Sequence, residues 1–191
     1  MLSGRLYDAR DSELAAARLR ARRLVSRYNQ AAPEEDGLRQ ELARELFGHM
    51  GEGCYLEPPL RCDYGSNIHL GERVYVNFNL VVLDCAAVTI GNDVLIGPNV
   101  GIYTAGHPVD PELRLASREF AFPITIEDGV WIGGHAVIAP GVRIGRNSVI
   151  GAGSVVTKDI PANVVAVGNP CRVMRPITEK DRGVHHPGGR E

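Results

Sequence analysis

From Ile68 onward the apolar residues of this chain recur every six positions. Val88, Val94 and Val100 form one series, Ile90, Ile96 and Ile102 another, and Gly91 and Gly97 follow two of those isoleucines. The pattern resumes at Ile124. Positions 124, 130, 136, 142, 148 and 154 are Ile, Val, Ala, Val, Ser and Ser, and positions 126, 132, 138, 144, 150 and 156 are five Ile and a Val. A weaker early set pairs Ile68 with Leu70, Val74 with Val76 and Leu80 with Val82, and a step of eight then leads to Val88, which marks a two-residue insertion. Two apolar residues flanking one other residue put both side chains on one strand face. The Gly, Asn or Asp that follows supplies a corner. Three such units close a triangular coil of about 18 residues, and stacked coils align their inward Ile and Val in one column. Twelve hexads make about four coils, so the pattern predicts an all-β fold, a parallel β-helix.

Before the repeat the period changes. Between Asp11 and Tyr28, Leu14, Ala17, Ala21, Leu24 and Tyr28 recur at steps of three and four, which predicts a helix. Asp11 or Ser12 is its N-cap, with Glu13 in the first turn. Pro33 ends that segment, and Leu38, Leu42 and Leu46 predict a second helix from about Glu34 to Met50, closed by Gly51 and Gly53. The expected organisation is a helical segment over 1–55, a β-helix over 56–176 and a tail over 177–191. The tail, with its HHPGGRE end, is expected to be partly disordered, and His185 and His186 to have no role. A non-repetitive excursion over 103–123 interrupts the β-helix. Solenoid stability does not require such a loop, so it is the expected seat of function.

Composition narrows the classes. Lys and Arg total 21 against 23 Asp and Glu, without the basic footprint of a nucleic-acid partner. No apolar run approaches the ~20 residues of a membrane span. The start, MLSGRLYDAR, is too polar for a signal peptide, which predicts a cytoplasmic protein. Cys54, Cys62, Cys85 and Cys171 form no CxxC pair and are expected as free thiols.

Several stretches together carry a resemblance: DYGSNIHLG (63–71), YVNFNLVVLD (75–84), IGPNVGIYTAGHPVD (96–110), FPITIEDGVWIGGHAVIAPGVRIG (122–145) and IGAGSVVTKDIPANVVAVGNPCRVMR (150–175). In these the chain resembles the maltose and galactoside O-acetyltransferases among the hexapeptide-repeat acyltransferases. The resemblance implies a left-handed β-helix, a homotrimer with active sites between neighbouring subunits, acetyl-CoA as co-substrate, a sugar hydroxyl as acceptor and no metal.

Acetyl transfer from a thioester needs a base for the hydroxyl proton, donors for the oxyanion and a cleft for the carrier. His107, in Ala105-Gly106-His107-Pro108 of the excursion, is the candidate base. By resemblance, Asn77 helps orient the acceptor and reacting groups, Tyr75 lines the same cleft, and Asp8 binds an acceptor hydroxyl. Asp63 stands where the galactoside enzymes carry serine. Asp84 is followed by Cys85, where they have a second aspartate. Asp63 and Asp84 are therefore expected at or near the acceptor, and the departures bear on galactoside preference. Gly134, Ala152, Thr157 and Lys158 lie on the expected coenzyme path by the same resemblance, with Trp131 packing the groove or a neighbouring subunit. Lys158, Arg172 and Arg175 are the cations available for the coenzyme phosphates. His69, His107 and His135 could make a zinc-dependent hydratase, but no H-x-x-x-x-H spacing supports a site. An acetyltransferase for a non-sugar acceptor is the other alternative.

Overall fold

The structure, a computed structural model, describes residues 1–183. His185 and His186 lie outside the described residues. The hexads form a left-handed parallel β-helix of three flat faces. Face I stacks His49–Met50, Ile68–Leu70, Val88–Ile90, Ile124–Ile126 and Arg143–Ile144. Face II stacks Tyr55–Leu56, Tyr75–Val76, Leu95–Ile96, Trp131–Ile132, Val149–Ile150 and Val164–Val167. Face III stacks Leu60–Cys62, Leu80–Leu83, Gly101–Tyr103, Val137–Ile138 and Val155–Val156. The register keeps the second residue of each hexad in one file, as in Val76, Ile96, Ile132 and Ile150 of face II.

That file is the core. Ile102, Ile124, Ile126, Ile132, Ile138, Ile144 and Ile150 are wholly buried. Each contributes roughly 1.5–3 kcal/mol by leaving water. Ser148 and Ser154 are the polar members, and both are satisfied. Ser148 Oγ donates to the Pro161 carbonyl at 2.8 Å, and Ser154 Oγ donates to the Gly151 carbonyl at 2.6 Å. The corners need left-handed backbone, which explains their composition. Asn79, Asp93, Asn99, Asn147 and Asn163 all have φ between 56° and 63°, a region these short polar side chains tolerate best after glycine. His135 is another such corner, at φ 60° beside the Asn99 amide.

The stack starts earlier than the repeat pattern suggests. Its first strand is His49–Met50, paired with His69–Leu70, so a further coil precedes Ile68. The second helix, α2, runs Asp36–Leu46 and stops short of Met50. The early coil keeps the step of six, with Met50, Leu56 and Cys62 in one series and Cys54 and Leu60 in the other, but it escapes notice because Met and Cys replace the branched aliphatics at most of these places. The first helix, α1, spans Ser12–Gln30, with Asp11 as N-cap accepting from Glu13 N at 2.8 Å. Both helices close the open end of the column. Ala21, Leu24, Val25, Leu42 and Leu46 join its apolar core, and Tyr28 Oη donates to the Leu56 carbonyl at 2.6 Å.

The excursion is ordered. Ala105–Gly106 pairs antiparallel with Phe120–Ala121, and Tyr7–Asp8 pairs antiparallel with Arg118–Glu119 on the other side. A short helix, α3 (Pro111–Leu115), forms the tip, capped by Asp110. A small second core of Tyr7, Tyr64, Cys85, Ala86 and Ala121 fastens this sheet to the coil.

Candidate active site

His107 leaves the strand Ala105–Gly106 at the edge between faces III and I. It stands at a cleft of about 360 Å³, and Asp63, Tyr64, Cys85, Glu119 and Arg18 line that cleft with it. The imidazole is 57 % exposed, and its Nε2 lies 3.9 Å from Oε1 of Glu119, which is 22 % exposed. The other Glu119 oxygen accepts from Tyr7 Oη at 2.8 Å. The N-terminal strand therefore fixes a carboxylate beside the imidazole. Burial, with hydrogen bonds to Cys85 and Glu119, pushes the Tyr7 phenol far up, so it remains a donor.

Asp63 faces the same space. Burial raises its carboxyl above the ordinary value, while the Cys85 thiol, donating at 3.5 Å, and the Arg18 guanidinium pull it back. The Cys85 thiol is itself pushed up to about 12, mainly by burial. It is a neutral side chain and not a nucleophile. Arg18 donates to Tyr64 Oη and to the Ala9 carbonyl, each at 2.7 Å, tying α1 to the cleft.

Two expected acceptor contacts are placed differently. Asp84 is wholly buried, and its oxygens accept from the backbone N–H groups of Asp63 at 3.0 Å, Tyr64 at 2.9 Å and Asn67 at 3.3 Å. It shapes the turn that presents Asp63 and has no face for an acceptor. Burial raises its carboxyl against the pull of those N–H groups. Asp8 lies on the N-terminal strand next to Tyr7, but its carboxylate is held by Arg10 Nε and Nη2, both at 3.2 Å. These bonds and the Arg10 N–H lower its carboxyl.

Asn77 belongs to the opposite edge of face III. It turns the corner from face II, where Asn77, Gly97, Gly133 and Gly151 stack through N–H bonds to Ile96, Ile132, Ile150 and Ala166, each at 2.8 or 2.9 Å. The column is tight. A Cβ on Gly97 would stand 2.6 Å from Gly134 N, and one on Gly133 would stand 2.5 Å from Ala152 N. Gly134 and Ala152 therefore lie along the Asn77 corner. Thr157 and Lys158, by contrast, follow Val155–Val156 at the His107 edge. The expected coenzyme residues are split across face III. Tyr75 and Trp131 lie on face II in one outward row with Leu95, and Trp131 is 53 % exposed. Tyr75 stacks on Tyr55 at 6.2 Å. Arg172 and Arg175 sit on the exposed strand Arg172–Pro176, antiparallel to Val164–Val167. Asp181 grips Arg175 with two bonds, at 2.9 and 2.7 Å, so of the three expected cations Arg175 is already neutralised. No cluster of three or more metal-ligating side chains occurs among the described residues.

Residues 1–51 match the maltose acetyltransferase hexapeptide capping motif, 87–109 a hexapeptide repeat of succinyl-transferase and 123–158 the bacterial transferase hexapeptide of six repeats. Galactoside O-acetyltransferase of Escherichia coli K12 is 51 % identical over 180 residues, covering 94 % of this chain and 89 % of that protein. The chain belongs to the maltose/galactoside O-acetyltransferase family. A solved galactoside acetyltransferase in complex with coenzyme A superimposes with a TM-score of 0.94 at 50 % identity, covering 96 % of this chain and 92 % of that one. A maltose O-acetyltransferase from Clostridium difficile 630 gives 0.92 at 48 % identity, covering 93 % and 95 %. In this member of the family, Glu119 and Arg18 are cleft residues that sequence reasoning missed, and so is Tyr7, which lies behind the cleft as the donor to Glu119. Glu119 had a usable signal, since it lies in the same excursion as His107. Arg18 reaches the cleft, and Tyr7 reaches Glu119, only through the packing of the N-terminal segment.

Proposed function

We propose that this protein transfers acetyl from acetyl-CoA to a hydroxyl of a sugar acceptor, with both substrates bound together. The observation that carries the reading is His107, an accessible imidazole beside the Glu119 carboxylate in a cleft that also holds Asp63. In the reaction His107 takes the proton of the acceptor hydroxyl as its oxygen attacks the thioester carbonyl. The imidazolium that forms is stabilised by Glu119, and Asp63 accepts from a further sugar hydroxyl. The tetrahedral oxyanion collapses, the C–S bond breaks, and coenzyme A leaves as thiolate or thiol.

One protomer does not complete this site. His107 and Asn77 occupy opposite edges of face III, and so do the two sets of coenzyme residues. Three copies around a threefold axis bring the Asn77 corner of one against the His107 edge of the next. That complementarity supports a homotrimer with sites between subunits, with the Tyr75–Leu95–Trp131 row as apolar surface available for contact. In that crevice the Asn77 amide and corner N–H groups face the oxyanion, and Lys158 and Arg172 meet the coenzyme phosphates. The four cysteines are free, which suits the reducing cytoplasm where acetyl-CoA is present. No helix among the described residues is long and apolar enough to cross a membrane.

His107→Ala tests the reading. Turnover falls by ~10²–10⁴-fold, the usual worth of a general base, while coenzyme A binding by calorimetry is retained. Near-normal turnover in that variant contradicts the assignment.

A further inference from the structure

A second cleft opens beside the first. It has a volume of about 670 Å³ and lies between α1 and the start of face III, with Arg22, Ser26 and Gln30 on one wall and Arg61 and Cys62 on the other. Asp63 and Leu83 line both clefts, so the two meet at the Asp63 carboxylate. A volume in the range of roughly 300–1,000 Å³ suits a bound small molecule. The space exists because Ser26 and Cys62 are small where the helix and the strand face each other.

Its lining carries more positive than negative charge. Arg22 and Arg61 pair with no carboxylate among the described residues. Arg61 Nη1 donates only to the Leu60 carbonyl, at 3.0 Å. The protein carries a formal charge of −2, whereas this cleft sets two guanidiniums against the single carboxylate of Asp63, on which Arg22 acts, a local reversal of sign. Their planar donor forks match carboxylate, sulfate or phosphate oxygens.

We infer that the acceptor extends past the acetylated ring into this second cleft and carries an anionic group there, which Arg22 and Arg61 bind. The inference rests on the sugar O-acetyltransferase reading and deepens it to acidic glycosides. The reacting ring occupies the His107 cleft, the Asp63 carboxylate takes a hydroxyl at the junction, and the anion lies beyond it. The chemistry of the acetyl transfer is unchanged.

The test compares phenyl and 4-carboxyphenyl β-glycosides of galactose and glucose, in binding by calorimetry and in acetyl transfer. The carboxylated glycoside of at least one sugar binds about tenfold or more tighter at low ionic strength, and the preference shrinks as salt rises. Arg22→Ala combined with Arg61→Ala removes the preference and leaves the phenyl glycoside unaffected. Ser26→Tyr, which fills the cleft, weakens the carboxylated glycoside while acetylation of free sugar persists. Equal binding of the two glycosides, or a preference that survives loss of both arginines, overturns the inference. Absence of acetyl transfer to every neutral sugar, with the carboxylate preference intact, strikes the functional reading instead.

Discussion

The two edges of face III are built from the same repeat and do opposite things. At the Asn77 edge the corner column is Asn77, Gly97, Gly133 and Gly151, so tight that a single methyl meets backbone. It carries no titratable cleft and offers a smooth path of backbone groups. At the His107 edge the corners are long and irregular. Asp63, Cys85, His107 and Glu119 gather there under a sheet borrowed from the excursion and the N-terminus. The regular edge is suited to a long flexible carrier, and the irregular edge holds the titratable groups to which the proposed reaction gives acid–base work.

The comparison breaks most visibly if the tight edge is crowded. Gly133→Val puts carbon against the backbone N–H of Ala152 and forces the corner apart. We expect a loss of about 1–3 kcal/mol in stability, the range for overpacking, seen as a lower Tm, together with weakened coenzyme A binding. Thr157→Val, at the other edge, should leave the Tm nearly unchanged.

Charge removal sharpens the division of labour. Lys158→Ala combined with Arg172→Ala should raise KM for acetyl-CoA about tenfold, as expected for lost charge-assisted contacts, with KM for the acceptor changed far less. Equal rises in both constants would count against the phosphate role.

The smallest effect concerns Asp63. Burial holds its carboxyl above the ordinary carboxylate range. The folded state thus gives up this proton at a higher pH than the unfolded chain does. The charged carboxylate consequently costs stability above the folded pKa, and the cost is absent below the unfolded value. Asp63→Asn should raise the Tm slightly at pH 7, and the gain should shrink as the pH falls toward 4 (near the ordinary carboxylate value, ~3.9). Acceptor KM should rise in the same variant.

The repeat made the fold legible. Ile126, Ile132, Ile138 and Ile144 announce both strand and inward face, because a period of six leaves no other way to bury them together. The first coil was hidden by its composition: Met50, Leu56 and Cys62, and Cys54 and Leu60, keep the step of six, but Met and Cys stand where later coils carry Ile and Val. The placement of His107 at a cleft was legible from its motif in a loop that the core does not need. Glu119, Tyr7 and Arg18 were not, because their meeting depends on the antiparallel pairing of residues 7–8 with 118–119 and on the docking of α1. Asp84 shows the opposite failure. An acid beside an expected acceptor residue turns inward to bind three N–H groups, and nothing in its neighbours distinguishes that fate from a ligand contact. The two-sided distribution of Gly134 and Ala152 against Thr157 and Lys158 likewise appears only once the corners are stacked.

The central claim is that one active site takes His107 from one subunit and Asn77 from the next. His107→Ala and Asn77→Ala proteins, each deficient alone, can be unfolded, mixed and refolded together, and acetyl release from acetyl-CoA to sugar measured. Sites assembled between subunits regain activity in the mixture, because some interfaces pair an intact His107 edge with an intact Asn77 corner. A mixture no more active than the average of its two components contradicts the shared site.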